Sequence, residues 1–503
     1  MRRFIPYFFI FFFYIPHTFA SDNTFPIVKG SYQLSLENIL LPGAEEMGLM
    51  GGNYLIETSY LTTGLGIYGA VTGDRGGFFT GGFHLAKLVV LPREYFFEAN
   101  VFAGGGGGGA APQGGGLMLR AALGLGKQIN NHRYFLGLSQ VSFPNGDINS
   151  RQMSFAYTYL FKKMHFPGWE YEQSPVNWDK LFSTQSIHIQ QVSMQLLDYF
   201  PAPSVLGRNG LAHNKRLSTL GIRFSKQINQ LLWGEFETAG AMRGGIDGFA
   251  QVFGGFSLKQ KISQRLSLSS GWLLGAAGGG NVDTGGGSMS RIFAGVEIDL
   301  YRRWSSYLQL GYIFALDGAF SAKTVNFNLV YSFENIMLSP KVAKNSVRSK
   351  IRSLHWRRLS IRPGVQKYTF YQQPARKFNN QKNLDVDLTI LKLDAYFSSQ
   401  FYVSGQALGA FRGKAGGYAV GLLGPGFRLN QFLSTELLFG VAGGGGIDVG
   451  SGKLIQPMIN FDVKHSNVWS TELSAGYVKA YDGKLSAFVF NLGVAYRFSH
   501  PYY

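Results

Sequence analysis

Chemistry on a β-strand needs two groups on one face, because successive side chains point to opposite sides and residues i and i+2 share a side. A hydroxyl nucleophile with its base would read His-x-Ser, so that an imidazole can take the proton of a serine two places on. None of the nine His is followed in that way. His465 and Ser466 are adjacent and therefore point apart, and His500 is followed by Pro501 and Tyr502. His84, His188 and His213 stand alone, without the short ligand spacing of a metal centre. Absence of cysteine excludes a thiol nucleophile, a disulfide framework and a zinc–thiolate site. Nothing singles out a long-range Ser–His–Asp set. The expectation is a protein that is not an enzyme and carries no cofactor, with lipid modification the weakest of its functional readings.

One metal motif needs weighing. Gly443-Gly444-x-Gly446-x-Asp448 resembles the calcium-binding nonapeptide of repeat toxins. That site needs stacked turns sharing ions, whereas this motif is isolated and has Gly450 where an apolar residue is required. Asp283 takes the equivalent place after Gly278 to Gly280, while the first such cluster has Gln113 nearby and no acid. Ordinary turn chemistry accounts for both acids, and no metal is expected.

The elements that would position such groups are strands. The chain has 67 Gly, 43 Phe and 26 Tyr among 503 residues, with 15 % charged residues, against about 25 % in soluble domains. Disorder needs the opposite balance. At the N-terminus, Arg2 and Arg3 precede an apolar run from Phe4 to Tyr14, and Thr18-Phe19-Ala20 gives a small-x-small site before Ser21. Residues 1–20 therefore read as a signal peptide cleaved between Ala20 and Ser21. No later apolar stretch reaches the roughly 20 residues of a spanning helix. A membrane location would thus be through strands. The formal charge of +18 calls for an anionic partner or a solvated basic surface. Export argues against nucleic acid, which leaves lipid headgroups.

From Ser486 to Phe498, Phe488, Phe490, Leu492, Val494, Tyr496 and Phe498 share one parity. Asn491, Gly493, Ala495 and Arg497 fall on the other, with Val489 the exception. Bulky apolar residues on one face and small or polar ones on the other suit a transmembrane barrel, with lipid outside and a polar lumen. Asn491-x-Gly493-x-x-Tyr496-x-Phe498 resembles the C-terminal assembly signal of bacterial outer-membrane β-barrel proteins, polar-x-Gly-x-x-aromatic-x-aromatic. The family usually ends on the aromatic residue, whereas Ser499 to Tyr503 follow here. The resemblance implies the cell outer membrane of a Gram-negative bacterium, contact with outer-membrane lipid and lipopolysaccharide, and the barrel-assembly machinery as partner during biogenesis. It names no further protein partner.

The octet recurs as Ser154-x-Ala156-x-x-Tyr159-x-Phe161 and as Asn326-x-Asn328-x-x-Tyr331-x-Phe333. A double Gly cluster precedes each copy: Gly104 to Gly109 then Gly114 to Gly116, Gly278 to Gly280 then Gly285 to Gly287, and Gly443 to Gly446 then Gly450 and Gly452. Trp304 and Trp469 lie at one distance before their closing Phe, and His132 takes that place in the first copy. These spacings predict a triplicated unit of roughly 140 residues: 21–162, 185–333 and 357–503. In the third unit, strands are expected near 358–370, 384–397, 400–411, 416–428, 432–442, 453–464, 468–480 and 485–498. Residues 163–184, with Pro167, Trp169 and Pro175, read as a linker. Residues 334–356 form a basic one whose Val347, Ile351 and Leu354 share a helical face. There Lys344, Arg348 and Arg352 either contact anionic lipid from an interfacial helix or lie in a solvated linker.

The fold class is therefore all-β, a transmembrane antiparallel barrel of three tandem units of about eight strands, or alternatively one barrel of about 24. Three small barrels, too narrow to be pores, imply a structural or interaction role. One wide barrel would be a transport or secretion channel.

Overall fold

The computed structural model describes residues 27–58, 60–169, 185–212, 216–338, 355–370 and 385–502. They run as antiparallel strands almost throughout. Barrel 1 consists of β1 (Ile27–Leu40), β2 (Glu46–Glu57), β3 (Thr62–Thr72), β4 (Phe79–Val90), β5 (Tyr95–Gly107), β6 (Leu117–Ile129), β7 (His132–Ser142) and β8 (Asn149–Met164). Each strand pairs with the next, and β8 returns to β1 from Ile27↔Met164 to Glu37↔Ser154. A two-residue strand, β9 (Phe166–Pro167), follows. Barrel 2 repeats the meander with β10 (Gln185–Pro201), β11 (Leu217–Gln227), β12 (Leu232–Arg243), β13 (Ala250–Lys261), β14 (Leu266–Gly278), β15 (Ser288–Tyr301), β16 (Trp304–Ala315) and β17 (Ser321–Leu338), closed by β10 on β17. Barrel 3 has β18 (His355–Phe370), β19 (Val386–Tyr396), β20 (Phe401–Arg412), β21 (Ala419–Arg428), β22 (Leu433–Gly443), β23 (Lys453–Lys464), β24 (Trp469–Ala480) and β25 (Ser486–Tyr502), closed by β18 on β25.

Three closed eight-stranded barrels are thus present, and the single ring of about 24 strands does not form. Each eighth strand satisfies its edge on the first strand of its own unit. Between barrels 1 and 2 the described ladder contacts shrink to Met337↔Lys163. Pairing also runs past each closing octet. Ser499 to Tyr502 are no loose tail but the end of β25, paired with Arg358 back to His355.

Alternation does the sorting. On β25, Phe488, Phe490 and Leu492 are 44 %, 53 % and 48 % exposed on the outside, whereas Val489 and Ala495 are fully enclosed. Leu123, Leu125, Leu136 and Leu138 on β6 and β7, and Leu308 and Leu310 on β16, extend the outward apolar face. In water each such side chain would forgo about 1.5–3 kcal/mol of burial, and apolar surface this continuous marks contact with membrane or protein.

Every barrel has two unlike ends. The near end carries the chain's entry and exit and tight turns. There Thr58, Asn229 and Ser398 each accept backbone N–H bonds within the turn after the second strand of their barrels. The far end carries the odd-numbered hairpins, and there the lumen is apolar. Ile39, Met47, Tyr68, Phe102 and Phe143 fill it in barrel 1. Tyr199, Phe249, Phe253 and Phe320 do so in barrel 2, and Tyr368, Val386, Tyr418 and Val489 in barrel 3. Val489, the parity exception in the sequence, belongs to this plug.

Candidate functional site

The Gly clusters are where the three barrels interlock. The loop between the third and fourth strands of each barrel has one fold. Phe78 N bonds Arg75 O (3.0 Å), Phe249 N bonds Ile246 O (2.9 Å) and Tyr418 N bonds Ala415 O (2.8 Å). Loop 73–78 of barrel 1 enters the 278–287 cluster of barrel 2, with Gly76 N donating to Gly285 O at 3.0 Å. Loop 413–418 of barrel 3 enters the 104–116 cluster of barrel 1, where Gly417 N donates to Gly106 O (2.9 Å) and Gln113 Nε2 to Gly416 O (3.1 Å). Loop 244–249 of barrel 2 meets barrel 3, and a methyl on Gly443 would lie 2.6 Å from Gly248 Cα. Each barrel inserts into one neighbour and receives the other, so the head-to-tail ring closes after three.

Glycine is needed here for two reasons. Gly417 has φ +89°, a region that side chains rarely adopt, and a methyl on it would sit 2.9 Å from Gly108 N. The recurring Gly-aromatic pairs, Gly77-Phe78, Gly248-Phe249 and Gly417-Tyr418, are a repeat legible in the sequence but overshadowed there by the longer Gly clusters.

On the axis of this ring lies a cavity of about 480 Å³ lined by backbone of all three barrels and by Gln113, Arg208, Asp247, Asn281 and Lys414. Arg208 Nη2 donates to Gly285 O at 2.7 Å. Beside it Arg75 joins the Glu45 carboxylate to Ala110 O (2.6 Å). The hydrogen bond from Arg75 holds the Glu45 carboxyl below its usual range. That brace is complete above the ordinary carboxylate range and is lost as pH falls through the lowered pKa.

The residues weighed for metal chemistry work as turn braces. Asp448 Oδ1 accepts from Gly450 N and Asp283 Oδ1 from Gly285 N, both at 3.3 Å. No metal-holding cluster occurs among the described residues. His465 Nε2 pairs with Thr471 Oγ1 (2.8 Å), and Ser466 Oγ accepts from Trp469 N (3.0 Å). Both are thus occupied within a turn rather than on a strand. His84 is enclosed in barrel 1 with neither ring nitrogen hydrogen-bonded among the described residues. His213, Ala20, Ser21, Lys344, Arg348 and Arg352 lie outside the described residues, as does the side chain of His188.

Below the apolar plugs, paired charges span each lumen. Arg120 reaches Glu37 (2.9 Å), Asn100 (2.8 Å) and Ser154 (2.8 Å) in barrel 1. In barrel 2, Arg223 meets Glu235 at 3.0 Å and Arg291 meets Glu237 at 2.6 Å. In barrel 3, Glu472 receives Arg362 (2.8 Å) and Lys392 (3.0 Å), and Arg497 binds Asp462 (2.7 Å). The sequence showed these lumen faces as small and polar. Their lone charges, enclosed, must be paired to be tolerated.

The closing octets occupy the near end, where Tyr159 is exposed and the other aromatics at the motif positions are half-buried. His132, Trp304 and Trp469 pair directly across from Tyr159, Tyr331 and Tyr496, with ring centroids at 5.6, 5.1 and 4.8 Å. Phe161 lies under Lys226 of barrel 2 at 6.0 Å. Arg357 of barrel 3 covers Tyr331 at 5.2 Å, and Phe333 meets His500 at 5.9 Å. His165 stacks on Tyr496 (5.5 Å) and shares a 2.5 Å hydrogen bond with its hydroxyl. Phe161, Tyr331 and Phe333 thus face a neighbouring barrel across a seam, and Tyr496 is covered by the segment leaving barrel 1. Asn491 and Gly493 face inward, and Gly493 opposes Gly364 at the closure.

No protein-family model matches the chain, and no curated protein matches it. Among solved structures it is similar to the Yersinia pestis outer membrane protein Ail (19 % identity, 28 % of this chain and 99 % of that one, TM-score 0.20). It is also similar to the siderophore receptor PirA from Acinetobacter baumannii (8 %, 94 % and 81 %, 0.27) and to the outer membrane protein opdK from Pseudomonas aeruginosa (9 %, 94 % and 99 %, 0.23).

Proposed function

We propose that this chain is a non-enzymatic outer-membrane protein in which three sealed barrels form one rigid membrane platform with a structural or interaction role. The observation that carries this reading is the double closure of every lumen, by an apolar plug at the far end and by paired charges below it. Narrow barrels filled by side chains do not conduct. The outward apolar face meets lipid and lipopolysaccharide, and Asn491, Gly493, Tyr496 and Phe498 serve as the assembly signal, with Tyr159, Phe161, Tyr331 and Phe333 as their internal counterparts. Lys344, Arg348 and Arg352 contact anionic headgroups. Passage of small solutes is the second reading, favoured by the charged lower lumens. Planar-bilayer recording separates the two. The sealed platform should show no resolved steps, and reproducible open steps would replace it with a channel.

Export belongs to the same proposal. The apolar run before Thr18-Phe19-Ala20 motivates it. N-terminal sequencing of the protein from the outer-membrane fraction should begin at Ser21. Uncleaved chain confined to the cytosol would overturn it.

A further inference from the structure

The chain leaving barrel 1 does not pass freely to barrel 2. After β8 it lies on the end of barrel 3: Phe166 and Pro167 pair with Ser499 and Phe498 of β25. Gly168 N donates to Arg497 O (2.9 Å), and Ser499 Oγ donates to Gly168 O (2.7 Å). Phe166, almost fully buried, packs edge-on against Trp356 at 4.8 Å. These contacts deliver Trp169 to the near mouth of barrel 3. Its indole Nε1 donates to Leu359 O of β18 (2.9 Å), and its ring meets Tyr396 at 4.8 Å. Two guanidinium groups lie over it, Arg497 at 4.9 Å and Arg428 at 5.1 Å. Arg497 is itself a lumen residue, 4 % exposed and paired with Asp462.

The other barrels supply such an aromatic themselves. Trp233, the second residue of β12, lies over Lys259 at 4.4 Å inside barrel 2, and Phe96 lies under Arg133 at 6.0 Å in barrel 1. Barrel 3 has Tyr402 in the place of Trp233, but that hydroxyl is turned to Glu436 (2.8 Å). Arg428 also lies over the barrel's own Tyr396 at 5.2 Å, but the ring that lies against Arg497 comes from outside the barrel. We propose that Trp169 is the stopper of barrel 3, a side chain lent by the first barrel's exit segment that keeps water out of the third barrel's ion-pair lattice. A flat apolar ring between two cations does this well, because it excludes water and attracts both charges through its face. Barrel 3 can then close its β-ladder alone but seals its lumen only when barrel 1 is docked.

The absence of cysteine makes the test clean. Ser470 faces this lumen, fully enclosed, near the mouth, opposite Ala495. Ser470→Cys in the full-length chain should react slowly with a small charged methanethiosulfonate. Adding Trp169→Ala should raise that rate about tenfold or more, with Trp169→Phe near the parent and the heat-modifiable folded band kept throughout. A cysteine at Val489, inside the far plug, should stay protected in both backgrounds. If Trp169→Ala fails to assemble, Trp169→Leu carries the same expectation, since it keeps an apolar side chain but no ring. Equal labelling with and without the indole, or rapid labelling of the parent, would overturn the stopper. The readout concerns the lumen alone, so its failure is distinguishable from failure of the membrane assignment.

Discussion

Residues 355–503, expressed without the first 354 and refolded from urea into detergent, should form a closed barrel with sharp heat modifiability. The fragment starts at His355 because β18 pairs with β25 from there to Phe370. An isolated third of a larger ring would leave two open edges. At several kcal/mol per unsatisfied backbone group, that penalty is on the order of tens of kcal/mol in hydrocarbon, beyond the reach of ordinary stability. Here no such edge exists. The buried charges are also self-contained, since Arg362, Lys392 and Arg497 find Asp394, Glu436, Glu472 and Asp462 within the fragment. What is lost is the stopper and the interlock, so the unfolding midpoint should fall while the barrel persists. Circular dichroism and mobility of unheated against heated samples decide it. A fragment that yields aggregate alone would show that closure depends on the other barrels.

Gly417→Val should be among the most damaging single changes outside the lumens. The residue sits at φ +89°, and a methyl there would press on Gly108 N at 2.9 Å. Gly43 provides the control: its φ is +83°, yet nothing lies within 4 Å of a methyl placed on it. Gly43→Val should cost about 1–2 kcal/mol from backbone strain alone. Gly417→Val should cost about 1–3 kcal/mol more, because the loop can no longer seat in the barrel 1 cluster. Urea unfolding in lipid measures both. Equal losses would mean that the interlock contributes nothing to stability, and the glycines would then serve only their own turns.

Most of the strand inventory is legible in the residue pattern. In barrel 3, expected strands near 432–442, 453–464 and 468–480 correspond to Leu433–Gly443, Lys453–Lys464 and Trp469–Ala480. Period-two alternation is a local property, and a strand with one face turned outward displays it residue by residue. The division into three units is legible too, since His132, Trp304 and Trp469 keep one offset from their closing octets and occupy one cross-strand position.

Closure is not legible in that way. Three rings of eight and one of 24 share every local pairing except those of β1 with β8, β10 with β17 and β18 with β25. Those partners are more than a hundred residues apart, and the sequence favours three rings only through the octet that ends each unit and the long linkers between units. The use of the Gly clusters is hidden likewise. A glycine's freedom shows in sequence, but that Gly417 lies against barrel 1 depends on how whole barrels dock. The lumens read as merely polar because a single Arg120 or Arg362 reveals its meaning only when strands from across the barrel bring Glu37 or Glu472 to it. Trp169 reads as one aromatic in a linker. Its role depends on Arg497, far along the chain in another barrel. Alternation and turns are written within a few residues and the repeat in equal spacings, so the sequence by itself determined them. Closure joins strands more than a hundred residues apart, and interlock and sealing join residues that meet only after the barrels have formed, so the tertiary structure decided those.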